Sequence, residues 1–350
     1  MAITVLTIQN GLPHLTRHET FHVDPQCVEV EMLNVLMAPS DMMALKRIKS
    51  PPNGRILGNM GVGKITRMPL ENSDAASRTG LRVGQTVLVG PTAPCGVCSA
   101  CAREHWEECA QPQIFGVSRD GVCASRAQVP IGALTRVESD PQADVHAFLS
   151  APWVAKGVWL ATQPFANRDN IIGAIGPSCL TQLFKYIMED FSNAEVERVQ
   201  PQSFLNAGQM GTGRFDVLID DSEAADPETV MALLRPTGLW VRGENVARTL
   251  ALTPTSLSVR ESDLKSSSLY VATEWIAQNL FHFSNIGAGF PFTPEGLMEL
   301  THSESLRERL GFLFFEMRPE AIAIKDDLPK RAAEGFGTMP LTLDPVAARV

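Results

Sequence analysis

Tyrosine is nearly missing from this chain, at 2 of 350 residues in a composition only 7% aromatic. A mechanism that needs a phenol as proton donor has just Tyr186 and Tyr270 to draw on. Basic residues are also short, with 30 Lys and Arg against 39 Asp and Glu and a net charge of −9. That deficit argues against nucleic acid or an anionic membrane surface as partner, since both want a basic patch. No apolar run reaches the roughly 18 residues that a membrane span requires. Met1–Asn10 has neither the charged start nor the cleavage site of a signal peptide. A cytoplasmic protein acting on a small molecule is expected. What is present points to order: 44% hydrophobic content can bury enough surface to offset the entropy of folding. The length suits two domains sharing a cleft.

The seven cysteines do not form a disulfide framework, being odd in number and without a secretion signal. Four are packed into Cys95-x2-Cys98-x2-Cys101-x7-Cys109, while Cys27, Cys123 and Cys179 are scattered. Two-residue gaps let successive sulfurs turn onto one ion, and the longer gap brings the fourth from a small lobe. The spacing predicts a tetrahedral Zn(II) site on Cys95, Cys98, Cys101 and Cys109. Four thiolates leave no open position for water or substrate, so this zinc is structural.

The first 150 residues read as β-rich, with strand composition in Val28–Met32 and Gln85–Val89 and glycines crowded at Gly54, Gly58, Gly61 and Gly63. After Ala143 the texture changes. Val145–Thr162 reads as helix broken at Pro152, Asn170–Ala174 as a buried strand and Leu180–Phe191 as an amphipathic helix. Phe215–Asp220, Pro227–Leu234 and Gly238–Arg242 follow as strand, helix and strand. Such alternation predicts a parallel sheet with helices on its faces.

These residues resemble the medium-chain dehydrogenase/reductases, the superfamily of zinc alcohol dehydrogenases, quinone reductases and enoyl reductases. Ile56–Gly63 is similar to that family's "GHEGxG" turn and Gly80–Val89 to its "GlkvGDrVlv" strand. The cysteine lobe is similar to its structural zinc lobe, and Phe215–Asp220 with Leu234–Gly238 to its "fDvviD…LrpgG" segment. The resemblance implies an α/β protein: a GroES-like β-barrel domain over residues 1–150, with its zinc lobe at about 91–112, and a Rossmann-like, doubly wound parallel sheet over 151–293. Residues 294–350 would pack back on the first domain, and the assembly would be a homodimer.

The departures bear on function. Zinc alcohol dehydrogenases carry a cysteine before the "GxD" of the catalytic loop and a His-Glu pair in the Gly-rich turn. Here Ala38, Asn59 and Met60 stand at those positions, and Ala151–Ala155 offers no third ligand. No thiolate, imidazole or carboxylate remains to hold a Lewis-acid zinc. Pro39–Asp41 with Gly58-Asn59 and Gly61-Val62 is similar to the "NPSD…GNEGV" pair of zinc-independent 2-enoyl thioester reductases. Their tyrosine is missing from Met42–Ser50. Ser40, Lys49 and Asn59 are the catalytic candidates that remain. Lys49 is a proton donor if burial lowers its pKa, or a solvated loop lysine beside Lys46 and Arg47. Asp41 either accompanies Ser40 in the cleft or fixes the loop through backbone N–H groups.

For the cofactor, NADP(H) or NAD(H), the sequence offers Gly173-Ala-Ile-Gly-Pro-Ser-Cys-Leu180. Gly173, Gly176 and Pro177 are the candidates, with Gly176-Pro177 similar to the family's "GxGPxG" turn. Ala174 then takes the place of the first glycine and Cys179 that of the third. Only 37 positions separate Cys179 from Asp216, where two crossover units of roughly 30 residues each are expected. About one unit is shortened or lost, and the end of the second strand is expected to go with it. Arg198 is the surviving candidate for a ribose 2′-phosphate, or else a surface arginine.

Other features have plainer readings. His14, His18 and His22 read as surface residues, or, at four-residue spacing, as metal ligands on one helical face; Phe281, Phe283, Phe290 and Phe292 read as core or as a substrate wall. Two functions stay open besides that of a non-catalytic binding or scaffold protein. One is zinc-independent reduction of an activated C=C or carbonyl by NAD(P)H. The other is a non-redox elimination, isomerisation or condensation on a scaffold that no longer binds nicotinamide.

Overall fold

The computed structural model describes residues 2–18, 24, 26–48, 51–69, 79–138, 145–199, 213–220, 227–242, 256–258, 266–283, 286–303, 305–306 and 310–317. Strands β1 (Ile3–Gln9) and β2 (Leu12–His18) form a hairpin closed by Asn10-Gly11, both at positive φ, as a two-residue turn between twisted strands requires. The main sheet of the first domain is built on β3 (Cys27–Met37), which pairs antiparallel with β4 (Met60–Arg67) and β8 (Arg126–Pro130). Beyond β4 lie β5 (Thr86–Val89) and β9 (Leu134–Arg136), while β6 (Thr92–Ala93) and β7 (Gln113–Ile114) pair apart as a short antiparallel ribbon. The other edge is completed from far along the chain by β15 (Ala288–Pro291) and β16 (Leu313–Glu316), the latter antiparallel to β3.

A register shift in β3 decides which residues face which core. Met32 pairs with Gly63 but Asn34 pairs with Val62, so Leu33 is an extra residue. Such a bulge reverses the side-chain alternation beyond it. Val28, Val30 and Met32 before it, and Val35 and Met37 after it, all enter the barrel core. Leu36 turns outward instead and joins Met60, Val62, Leu88 and Phe314. This second face is covered by helices of the other domain, so the two domains share one apolar core. Each large side chain buried there contributes about 1.5–3 kcal/mol.

The second domain holds β10 (Ile172–Ile175), β11 (Val196–Arg198), β12 (Phe215–Asp220), β13 (Leu234–Arg242) and β14 (Ser256–Ser258). All are parallel, in the order β11-β10-β12-β13-β14. After α1 (Pro39–Leu45) in the first domain, α2 (Ala151–Ala161) and α3 (Ser178–Ser192) pack on one sheet face. Helix α4 (Pro227–Leu233) packs on the other, and α5 (Ser266–Gln278) lies against α2. Residues 145–150 form a 3-10 turn, and Pro152 sits in the first turn of α2, where its missing N–H costs nothing. The break therefore precedes the proline instead of falling at it.

One expectation is corrected. The second strand of the doubly wound order is retained: β11 pairs with β10, and Arg198 is its last residue. Sixteen residues lie between Arg198 and Phe215, and one parallel crossover alone takes a dozen or more. The end of the second strand is therefore not lost.

Candidate functional site

In the cysteine lobe, the four Sγ atoms of Cys95, Cys98, Cys101 and Cys109 all lie within 4.8 Å of one another. Cys95 and Cys101 stand 3.9 Å apart. A tetrahedron of sulfurs at about 2.3 Å from Zn(II) has edges of about 3.8 Å, so the cage fits that ion. Backbone N–H groups of Val97, Cys98, Cys101 and Ala110 point at the sulfurs and lower the Cys95 and Cys98 thiols, as needed for thiolate ligands. Burial raises Cys101. No disulfide forms among the seven cysteines. His105 stays outside the cage, 3.7 Å from Glu108. Among the described residues no second group of metal-ligating side chains occurs.

The cleft loop begins where β3 ends. Ala38 precedes α1, Pro39 occupies its first turn, and Asp41 closes back on it. One Asp41 oxygen accepts the Ala38 N–H at 3.0 Å and the other the Gly58 N–H at 2.9 Å. The Asn59 N–H also points at this carboxyl. Asp41 is buried, and burial pushes it up to about 6 despite these donors. Gly58 has φ +87°, and a Cβ there would stand 2.8 Å from the Cys123 nitrogen, so the close approach requires glycine. Asp41 thus links the loop that carries Ser40, which is exposed, to the segment that carries Asn59, which is buried. Lys49 lies outside the described residues. Ala38, Asn59 and Met60, at the positions of missing metal ligands, are all buried.

At the carboxyl edge of the parallel sheet, β10 runs into Gly176, whose φ of +148° suits glycine, and then Pro177 opens α3. Gly176, Pro177, Ser178 and Cys179 are half-buried. Arg198, exposed at the end of β11, lies close enough to lower the Cys179 thiol, although burial dominates and raises it to about 11. The thiol also takes backbone N–H groups of its own turn, those of Leu180 and Cys179. The structure therefore gathers Gly176, Pro177 and Arg198 at one edge. Gly173 lies apart from them, within β10, where a Cβ would meet Leu218 at 2.7 Å and Phe215 at 2.9 Å. Sheet packing accounts for that glycine.

Sequence reasoning missed Gly311. A Cβ on it would stand 3.0 Å from both the Cys179 Sγ and the Leu180 Cγ. The cysteine at the third fingerprint position is accommodated because the segment entering β16 has no side chain there. His14 and His18 lie on a strand, where four residues span about 13 Å, so they do not converge; His22 is outside the described residues. Phe283, Phe290 and Phe292 are core residues, and the Phe281 side chain lies outside the description. No helix among the described residues is long and apolar enough to cross a membrane.

Residues 24–139 match the alcohol dehydrogenase GroES-like domain. L-threonine 3-dehydrogenase of Thermococcus kodakarensis is 30% identical over 134 residues, covering 38% of this chain and 35% of that enzyme. This chain thus spans about a third of that relative's length. L-idonate 5-dehydrogenase (NAD(P)(+)) of Escherichia coli is 23% identical over 278 residues, covering 70% of this chain and 77% of that enzyme. The crystal structure of L-idonate 5-dehydrogenase from E. coli superposes with a TM-score of 0.68 at 17% identity, covering 90% of this chain and 98% of that one. A short chain alcohol dehydrogenase from E. coli, complexed with cofactor NADH, gives 0.66 at 16% identity, covering 90% and 99%. The fold is that of the medium-chain dehydrogenase/reductase superfamily, as the motifs imply.

Proposed function

We propose that the chain is an oxidoreductase that uses NAD(P)H, without a catalytic zinc, to reduce an activated C=C or carbonyl of a small metabolite. The observation that supports this reading is the turn at Gly176 and Pro177. It opens a helix at the carboxyl edge of a parallel sheet, with Arg198 beside it, where such folds take a pyrophosphate. The N–H groups of the first α3 turn and Arg198 would hold the phosphates. A bound nicotinamide supplies hydride. The chain's own part is to orient the acceptor, for which Asn59 is a candidate, and to pass it a proton from solvent through the exposed Ser40 hydroxyl. Ala38, Asn59, Met60 and Ala151 offer no ligand set for a Lewis-acid metal, which supports a zinc-independent reaction. Zn(II) in the cysteine lobe would serve the fold alone.

A second reading is a non-redox elimination, isomerisation or condensation in the same cleft. Cys179 favours it, because its sulfur already engages N–H groups that a pyrophosphate would use. The test is to mix the protein with NADPH labelled with deuterium at the transferable position and a panel of enoyl thioesters, enones and aldehydes. Deuterium in a reduced product supports the first reading. Product formation without cofactor, or no label transfer to any acceptor, favours the second.

A further inference from the structure

Gly132 lies in the 3-10 turn Ile131–Ala133, between β8 and β9, with no positive φ to require a glycine. What requires it is a neighbour. A Cβ there would stand 2.5 Å from Cδ2 and 2.6 Å from Cγ of the Trp106 indole, closer than any side chain can come. Trp106 belongs to the cysteine lobe, five residues beyond Cys101 and three before Cys109. Between those two sulfurs the chain turns at Glu104, φ +59°, and enters the 3-10 turn Trp106–Glu108. The half-buried indole packs on the barrel core, whose members include Ile131, Ala133 and Leu134.

From Gly132 the contacts run on to the other domain. The Ala133 carbonyl accepts the Gly90 N–H at 2.9 Å, and Leu134 pairs with Val89. A Cβ on Gly90 would stand 3.2 Å from Leu269 Cδ1, so that leucine of α5 rests on this joint. Helix α5 packs on β9, where Thr273 Oγ1 stands 3.5 Å from the Arg136 carbonyl oxygen. Its buried residues Leu269, Ala272, Thr273 and Ile276 recur at the spacing of one helical face.

We propose that the cysteine lobe is a metal-dependent latch on the joint between the two domains: ligation sets Trp106, Trp106 holds Gly132 and β9, and β9 seats α5. The base of the lobe is closed by the ribbon of β6 and β7, with only the pairs Thr92–Ile114 and Ala93–Gln113. So short a ribbon is marginal by itself and cannot fix the loop at its far end. Thiolate ligation on both sides of Trp106 supplies the missing constraint. The latch rests on the four-thiolate cage and stands apart from the proposed reaction.

Hydrogen exchange on the full, zinc-loaded chain tests it. The probes are the amides of Gly90, bonded to Ala133, of Val137, bonded to Thr86, and of α5, whose 13 residues are too few to stay helical once unseated. The references are the Leu6 amide, bonded to Cys123 in the barrel, and the Val199 amide, bonded to Ala174 in the parallel sheet. Stripping the zinc with a chelator should lower protection of the probes by about ten-fold or more and leave the references within about two-fold. Trp106→Ala and Gly132→Ala remove the contact from its two sides. Each should give the same selective loss while elemental analysis still finds about one zinc per chain. A variant that keeps both its zinc and its Gly90 protection overturns the proposal. So does a chelated chain whose references fall as far as its probes, or whose α5 stays protected. Where one variant fails to fold or loses its zinc the other decides, and the chelated wild type decides if both do.

Discussion

The Sγ of Cys179 reaches into space that only a glycine at position 311 leaves open, 3.0 Å from where a Cβ on that residue would stand. Gly311 also has φ +96°, which an L side chain rarely adopts. Gly311→Ala therefore meets two penalties, backbone strain and overpacking, for a loss of about 2–4 kcal/mol in urea unfolding. Adding Cys179→Gly should recover part of the overpacking, since Leu180 stands equally close, and none of the strain. A double-mutant cycle that shows no coupling between the two positions would mean the contact is not formed.

The cysteine lobe gives a metal prediction. Cys98→Ala should lower bound zinc from about one per chain to well below that, and lower the thermal midpoint with it, because structural zinc binding is folding free energy. Elemental analysis of the purified variant checks the first and a melting curve the second. Full zinc retention would contradict the four-thiolate cage.

These features differ in how far the sequence exposes them. The cysteine spacing sufficed for the lobe because all four ligands lie within fifteen residues of chain and thiol geometry dictates the rest. Phe215–Asp220 was legible as a strand because it is an apolar run buried on both faces. The bulge at Leu33 was not, since it is a matter of register between strands and leaves no mark in composition. Nor was the Cys179–Gly311 contact, which joins residues 132 positions apart across the two domains. Nor was the presence of β11 legible. Val196–Arg198 is too short and too polar to stand out as a strand until β10 pairs with it.

Stability should carry the signature of Asp41. Its folded pKa is raised, to about 6 from 3.8, so the folded chain holds a proton that the unfolded chain releases between those values. The stabilisation is complete below about pH 4 and lost as pH rises through 6, with a ceiling of about 3 kcal/mol. Urea midpoints across this range should fall with rising pH more steeply for the native protein than for Asp41→Asn. Parallel pH profiles would remove Asp41 from the account.

Arg198 should select between cofactors. An exposed guanidinium at the end of the second strand can meet a ribose 2′-phosphate with charge-assisted hydrogen bonds. Arg198→Ala should weaken NADPH binding by about ten- to a hundred-fold and leave NADH nearly unchanged. Calorimetry on both ligands checks this, and equal losses for the two would remove Arg198 from the 2′-phosphate contact.

The most direct test of the whole account is a titration of the purified protein with NADPH and with NADH, following nicotinamide fluorescence and thermal stability together. Saturable binding in the micromolar range, about −8 kcal/mol, with a rise in melting temperature is the predicted result. Failure of both ligands to bind would contradict the reductase reading and leave the cleft to non-redox chemistry.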